Sequence, residues 1–156
     1  MKRLLQNEWF VLLAIVLAAA LVRFYQLDTL PAGLYHDEAV NGIDALSVLD
    51  GEHPLYFEAN NGREPLYIYL VALSIHFFGA TPAAIRIVSA LLGTLFIFCI
   101  YWLAREAANR RIATYASLLA ASSVWAINLS RVGFRAIAYL PIITSALALL
   151  VRSQRK

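Results

Sequence analysis

Apolar and polar positions divide the chain into long greasy runs separated by short charged clusters, with one polar island near the start. Trp9 to Val22 is uncharged. With Leu4, Leu5 and the Phe24-Tyr25 pair it predicts a first span over residues 5–25, enough to cross ~30 Å of hydrocarbon. Pro65 to Ile85 contains no Asp, Glu, Lys or Arg but is interrupted by His76, Gly79, Thr81 and Pro82. Ile87 to Ala104 is an uninterrupted run of 18 residues, Ile112 to Ser130 is another apolar run, and Ala136 to Val151 is the last. Arg105–Arg111, Arg131–Arg135 and the tail Arg152–Lys156 punctuate them.

The basic clusters set the topology. Lys2 and Arg3 put the start of the first span in the cytoplasm, because loops rich in Lys and Arg stay inside. If every run crossed, Arg105–Arg111 and the tail would both lie outside, against that rule. If the aromatic-rich run up to Gly79 lies shallow instead, both clusters return to the cytoplasm, and Arg131 and Arg135 face outward. The reading is therefore an all-α polytopic membrane helix bundle with spans at 84–104, 112–130 and 136–151 besides the first. An outer loop covers 28–64 and carries short amphipathic helices, and 65–79 is an embedded, non-crossing helix. Arg23 is expected to snorkel outward at the far interface. No small-residue cleavage site follows the first run, so it reads as an uncleaved span and not a signal peptide.

The polar island runs from Leu30 to Leu49, with His36-Asp37-Glu38 at its centre. Pro31 and Gly33 mark a turn on the approach. Val40, Ile43, Leu46 and Leu49 recur at helical spacing, and Asp50-Gly51 supplies a stop. Asp37 then lies at or near the N-terminus of a short amphipathic helix beside the membrane, where negative charge is favoured. An ionised carboxylate there can act as a base or a metal ligand; a plain N-cap aspartate is the other reading of the same residue.

Composition narrows the class. The chain is 61% hydrophobic with a mean hydropathy of +0.66, well above ordinary globular usage. Eight of the ten acids lie between Asp28 and Glu64, where Arg63 is the lone basic residue. No basic face of the kind that binds nucleic acid is present. The one cysteine, Cys99, sits inside an apolar run, which excludes a disulfide and a thiolate zinc site and marks it as a core residue. His53 and His76 read as a loop histidine and an aromatic-belt residue. The Asn128-Leu-Ser130 sequon abuts a span and reads as coincidence.

On this topology the outer face gathers His36, Asp37, Glu38, Arg63, Glu64, Arg131 and Arg135. Arg131 and Arg135, four apart, are expected to share one helix face and to offer a bidentate site for a phosphate or diphosphate. Snorkelling to lipid headgroups is the alternative for each. Arg63-Glu64 reads as a surface ion pair worth little.

These residues resemble the lipid-linked-sugar glycosyltransferases of the GT-C fold. The resemblance is carried by the Asp37-Glu38 pair after the first span and a Gly-Arg-Glu-Pro-Leu-Tyr-Ile-Tyr-Leu segment before a helix ending Phe-Phe-Gly. It continues in Ala-Ile-Arg-Ile-Val-Ser-Ala-Leu-Leu-Gly and Ser-Arg-Val-Gly-Phe-Arg. It covers about Leu21 to Leu150 and is closest to the family 39 type, which includes protein O-mannosyltransferases and aminoarabinose transferases. It implies an enzyme of the plasma (inner) membrane with its active site on the outer face. Such an enzyme moves a sugar from a polyprenyl-phosphate-linked donor to an acceptor glycan, lipid or protein. By the same resemblance Asp37 is the general base and Glu38 its catalytic companion. The Arg63-Glu64-Pro65 segment is similar to one near the donor phosphate in the family; with the Arg131 and Arg135 pair, Arg63 is expected to hold that phosphate if the three converge, with His36 and Glu64 in support. The second acid that some relatives carry is missing from Arg135-Ala-Ile-Ala-Tyr-Leu-Pro141, so the resemblance leaves a divalent metal cofactor doubtful. Relatives run to several hundred residues, so the chain reads as the N-terminal part of such an enzyme, inactive by itself. A non-catalytic multi-pass subunit or a transporter fragment is the rival. A transporter should carry ionisable residues at mid-membrane, whereas here the charges cluster outside the runs.

Overall fold

The computed structural model describes residues 7–58 and 62–155. Its elements are α1 (Glu8–Phe24), α2 (His36–Leu49), α3 (Pro65–Phe78), α4 (Pro82–Ala107), α5 (Arg110–Ser122), α6 (Val124–Arg131), a 3₁₀ turn (Arg135–Ala138) and α7 (Tyr139–Ser153). Among the described residues there is no β-sheet, only an isolated bridge between Phe57 and Arg63. Local chemistry sets the helix starts. Pro65 and Pro82 occupy first-turn positions, where a missing N–H costs nothing. Thr81 accepts the Ala84 N–H, and Asn109 accepts those of Arg111 and Ile112.

At 26 residues α4 is the longest helix, about 39 Å at ~1.5 Å per residue. It and the 19-residue stretch Arg135–Ser153 are long and apolar enough to cross a membrane. The protein is an integral membrane helical bundle. Every other helix packs on α4. A first core joins α3, α4 and the 3₁₀ turn through Tyr67, Ile68, Val71, Ile85, Val88 and Ile137. Two smaller clusters seat α1 on α4 and α5 through Leu12, Ile15, Ala19, Ile97 and Tyr101. The described part of α1 is 17 residues, about 25 Å; the beginning of the predicted first span, residues 5 and 6, lies outside the described residues. Cys99 is buried, as a core residue would be.

Two expectations change. The run 112–130 is not one straight helix: α5 and α6 meet at Ser123 with a bend of 56°. Ser122 turns its hydroxyl back to the Leu118 carbonyl at 2.9 Å, a contact that bends helices, and Ser123 starts α6 as its N-cap, accepting from Ala126. Arg23 does not snorkel. It is fully buried and donates to Ser130 Oγ at 3.2 Å, to the Ala19 carbonyl at 3.1 Å and to the Ala121 carbonyl at 3.4 Å. The break strands carbonyls at the end of α5, and a buried guanidinium satisfies one of them.

Gly93 of α4 makes room for this contact. A Cβ there would lie 2.0 Å from Ser130 Oγ and 2.6 Å from Ser130 Cβ. Gly93→Ala is therefore expected to destabilise the bundle by about 1–3 kcal/mol through overpacking. Adding Ser130→Gly should recover much of the loss. Thermal unfolding in detergent checks both; an unchanged melting temperature for Gly93→Ala refutes the packing.

Candidate functional site

α2 has its chemistry on the inside and its grease on the outside. Glu38, Asn41, Gly42, Ala45 and Val48 are buried, whereas Ile43, Leu46 and Leu49 of the apolar stripe are exposed. The helix begins one residue before the predicted carboxylate. Tyr35 is the N-cap, His36 and Asp37 open the first turn, and Glu38 reaches back from the third position to the Tyr35 N–H at 2.8 Å. Asp37 is therefore in the first turn and not the N-cap. It ends as the Asp50-Gly51 signal indicates: Gly51 has φ +102°, its N–H donates to Val48 and that of Glu52 to Ser47. This is the paired closure that favours glycine past a helix end.

Glu38 is 1% exposed and sits at the centre of the site. Its Oε1 accepts from Arg86 Nε at 2.8 Å and from the Gly133 N–H at 2.7 Å; its Oε2 accepts from Arg86 and from Tyr35. Arg86, in the first turns of α4, is equally buried. Its remaining donors reach the carbonyls of Leu27 and Pro31, each at 2.9 Å, and of Gly33. A guanidinium has five N–H donors, and all five are used. Burial alone would raise the Glu38 carboxyl. The Arg86 hydrogen bonds and charge, with the Tyr35 and Gly133 N–H groups, outweigh that and hold its pKa below the ordinary value of 4.5.

A second layer continues from Gly133. Its carbonyl accepts from Asn41 Nδ2 at 2.9 Å, and Asn41 Oδ1 accepts from Arg63 at 2.9 Å. Arg63 is 1% exposed, pairs with Asp44 and lies 6.0 Å from the Phe57 ring centroid. The predicted Arg63-Glu64 surface pair is thus replaced by two pairs between residues distant in sequence, Arg63–Asp44 and Arg135–Glu64. The Phe57–Arg63 bridge turns Arg63 inward, while Glu64, at the cap of α3, meets Arg135 at 2.8 Å and the Tyr139 hydroxyl at 2.8 Å. Arg135 also donates to the Gly62 carbonyl. The Glu64 carboxyl is somewhat buried, which works against ionisation, but its own N–H, Tyr139 and Arg135 prevail and lower its pKa.

Arg131 and Arg135 do not share a helix face. α6 ends at Arg131, and the Gly133 turn, tied to Glu38 and Asn41, separates the two. Arg131 instead donates to the carbonyls of Val22 and Tyr25 at the end of α1 and of Leu30 in the loop beyond it. His36 is exposed at the start of α2 and Asp37 is half-buried beside it. Among the described residues no three His, Cys, Asp or Glu side chains gather as a metal site would require. Arg86, at the junction of two apolar runs, is the residue that reading from sequence missed. A lone arginine in the first turns of the longest apolar run was the available signal.

The clamp predicts a pH response. A carboxyl whose folded pKa is depressed contributes stability above its unfolded pKa and loses it as pH falls through the folded one. The bundle should therefore lose stability below about pH 4.5, the ordinary value. Glu38→Gln should flatten that acid limb. At neutral pH it should cost about 3–5 kcal/mol, because it leaves Arg86 buried without a counter-charge. Unfolding across pH 3–7 for both proteins checks this, and equal stability at neutral pH refutes it.

The chain matches the family described as dolichyl-phosphate-mannose-protein mannosyltransferase over residues 53–156. This region includes Arg63, Glu64, Arg86, Arg131 and Arg135 and begins after Asp37 and Glu38. No curated protein and no solved structure matches the chain. Two thirds of its length, in an apolar helical bundle, follow the family's pattern; the chain belongs to the dolichyl-phosphate-mannose-protein mannosyltransferase family, membrane glycosyltransferases of the GT-C type.

Proposed function

We propose that the chain supplies the acceptor-activating part of an enzyme that transfers a sugar from a polyprenyl-phosphate-linked donor on the outer face of the plasma membrane. The acceptor is a hydroxyl or amine of a glycan, lipid or protein. The observation that carries this reading is the position of Asp37. It precedes the Glu38–Arg86 pair by one residue and sits in the first turn of a helix whose start that pair fixes. A carboxylate in that place can take a proton from an incoming acceptor, as a general base must.

In the proposed step the acceptor oxygen or nitrogen attacks the anomeric carbon as Asp37 takes its proton. The bond from that carbon to the phosphate oxygen breaks, and polyprenyl phosphate departs with the electron pair. One base and no partner nucleophile give a single displacement with inversion. Of the three arginines assigned to the donor phosphate, Arg135 is the best placed. Its side chain is 29% exposed and is held by Glu64, while Arg63 is buried against Asp44 and Arg131 is engaged with backbone carbonyls. Glu38 is a positioning residue on this reading, and Glu64 orients Arg135. His36 lies beside the base.

Asp37→Asn, placed in the native gene, is expected to lower sugar transfer in isolated membranes by ~10²–10⁴-fold, the usual loss of general-base help. Binding of the polyprenyl-phosphate sugar should persist. Arg135→Gln should show the reverse emphasis, weakening donor binding first. Transfer at the wild-type rate by Asp37→Asn refutes the base assignment. For orientation, a Cys99→Ser chain carrying Glu52→Cys should react with an impermeant thiol label added outside intact cells, and one carrying Ala108→Cys should not. The opposite pattern overturns the outer-face reading.

A further inference from the structure

α4 carries a second polar end. Arg86 and Arg105 are 19 residues apart on it, about 28 Å along the axis, close to the ~30 Å of a bilayer's hydrocarbon. Where α1, α4 and α7 meet at the Arg105 end there is a cavity of about 400 Å³. Trp9, Phe98 and Trp102 form its aromatic wall and Arg105, Arg152 and Arg155 its cationic rim. Two acids also line it, and both are committed. Glu8 is shared by Arg105 at 3.5 Å and Arg110 at 3.9 Å, and Glu106 accepts from Trp102 Nε1 at 3.3 Å. Arg152 and Arg155 have no carboxylate within 4.0 Å among the described residues. Arg152 lies in the last turn of α7 and Arg155 in the turn that follows it, and both line the cavity.

We propose that this cavity binds the phosphate of an anionic bilayer phospholipid, with Arg152 and Arg155 on the phosphate and the aromatic wall against the glycerol and upper acyl chain. Guanidiniums present paired donors that fit phosphate oxygens. Basic pockets between membrane helices recognise anionic headgroups, and Trp side chains belong at the level where headgroup meets hydrocarbon. Trp9 is 62% exposed, open to such a contact. A choline headgroup would bring its own cation toward the arginines, so phosphatidylglycerol is preferred over phosphatidylcholine. The site lies at the opposite end of α4 from Asp37 and is independent of the transfer reaction.

The test uses the 156-residue chain in nanodiscs containing equal phosphatidylglycerol and phosphatidylcholine, followed by native mass spectrometry. One phosphatidylglycerol should be retained with about tenfold preference, the scale of ~1.4 kcal/mol. Arg152→Gln with Arg155→Gln should abolish the preference, and Arg111→Gln, an exposed cation of the same end, should leave it intact. Inorganic phosphate at 10 mM should not displace the lipid. A parallel measurement does not depend on the double variant folding: in a Trp125→Phe chain, brominated phosphatidylglycerol should quench Trp9 and Trp102 emission more than brominated phosphatidylcholine. Equal retention or equal quenching of the two lipids overturns the proposal. So does an Arg111→Gln effect as large as that of the double variant, which would indicate general surface charge, and so does displacement by inorganic phosphate, which would indicate a soluble anion site.

Discussion

The buried pair of Glu38 and Arg86 is the interaction on which the rest of this structure depends. It joins α2 to α4, and it also joins both to two irregular stretches, Leu27–Gly33 and the Gly133 turn. Removing two charges from water is costly, and such a pair is tolerated only when every remaining donor and acceptor is met. Here the geometry meets that condition: both carboxylate oxygens accept twice, and the guanidinium has no spare N–H. Its contribution lies less in net stability than in specifying one arrangement of four chain segments that little apolar packing would otherwise fix.

The same solution recurs in two other arginines. A membrane bundle has no water at depth to satisfy stranded backbone groups, so irregular backbone survives there only when protein groups take them up. Arg23 answers the carbonyl freed where α5 ends at the bend, and Arg131 answers those freed where α1 ends. Three arginines in or beside apolar runs thus take up backbone carbonyls at the breaks.

That allocation shapes the candidate site. The clamp has its donors and acceptors met, Asp37 lies half-buried beside it, and Glu64 and Arg135 hold each other. A reacting carboxylate benefits from a supporting shell that cannot rearrange. The helix that carries Asp37 turns its apolar stripe outward, the orientation suited to lying against lipid beside a lipid-borne donor.

The sequence by itself determined the membrane class, the all-helical fold and where the main apolar helices lie, because hydrocarbon thickness and helical period are properties of a local run. The apolar run inside α4, the Pro65 start of α3 and the Gly51 stop of α2 were all written in neighbouring residues. The short helix bearing Asp37 at its start was legible for the same reason. What only the tertiary structure decided was the partner of each charge. Glu38 and Arg86 are 48 residues apart, Arg63 chose Asp44 over its neighbour Glu64, and Arg131 and Arg135 parted at a glycine turn. Adjacency in the chain predicts contacts along one helix face. It cannot predict which distant carboxylate or carbonyl a buried guanidinium reaches, because folding brings those groups together only when the helices pack.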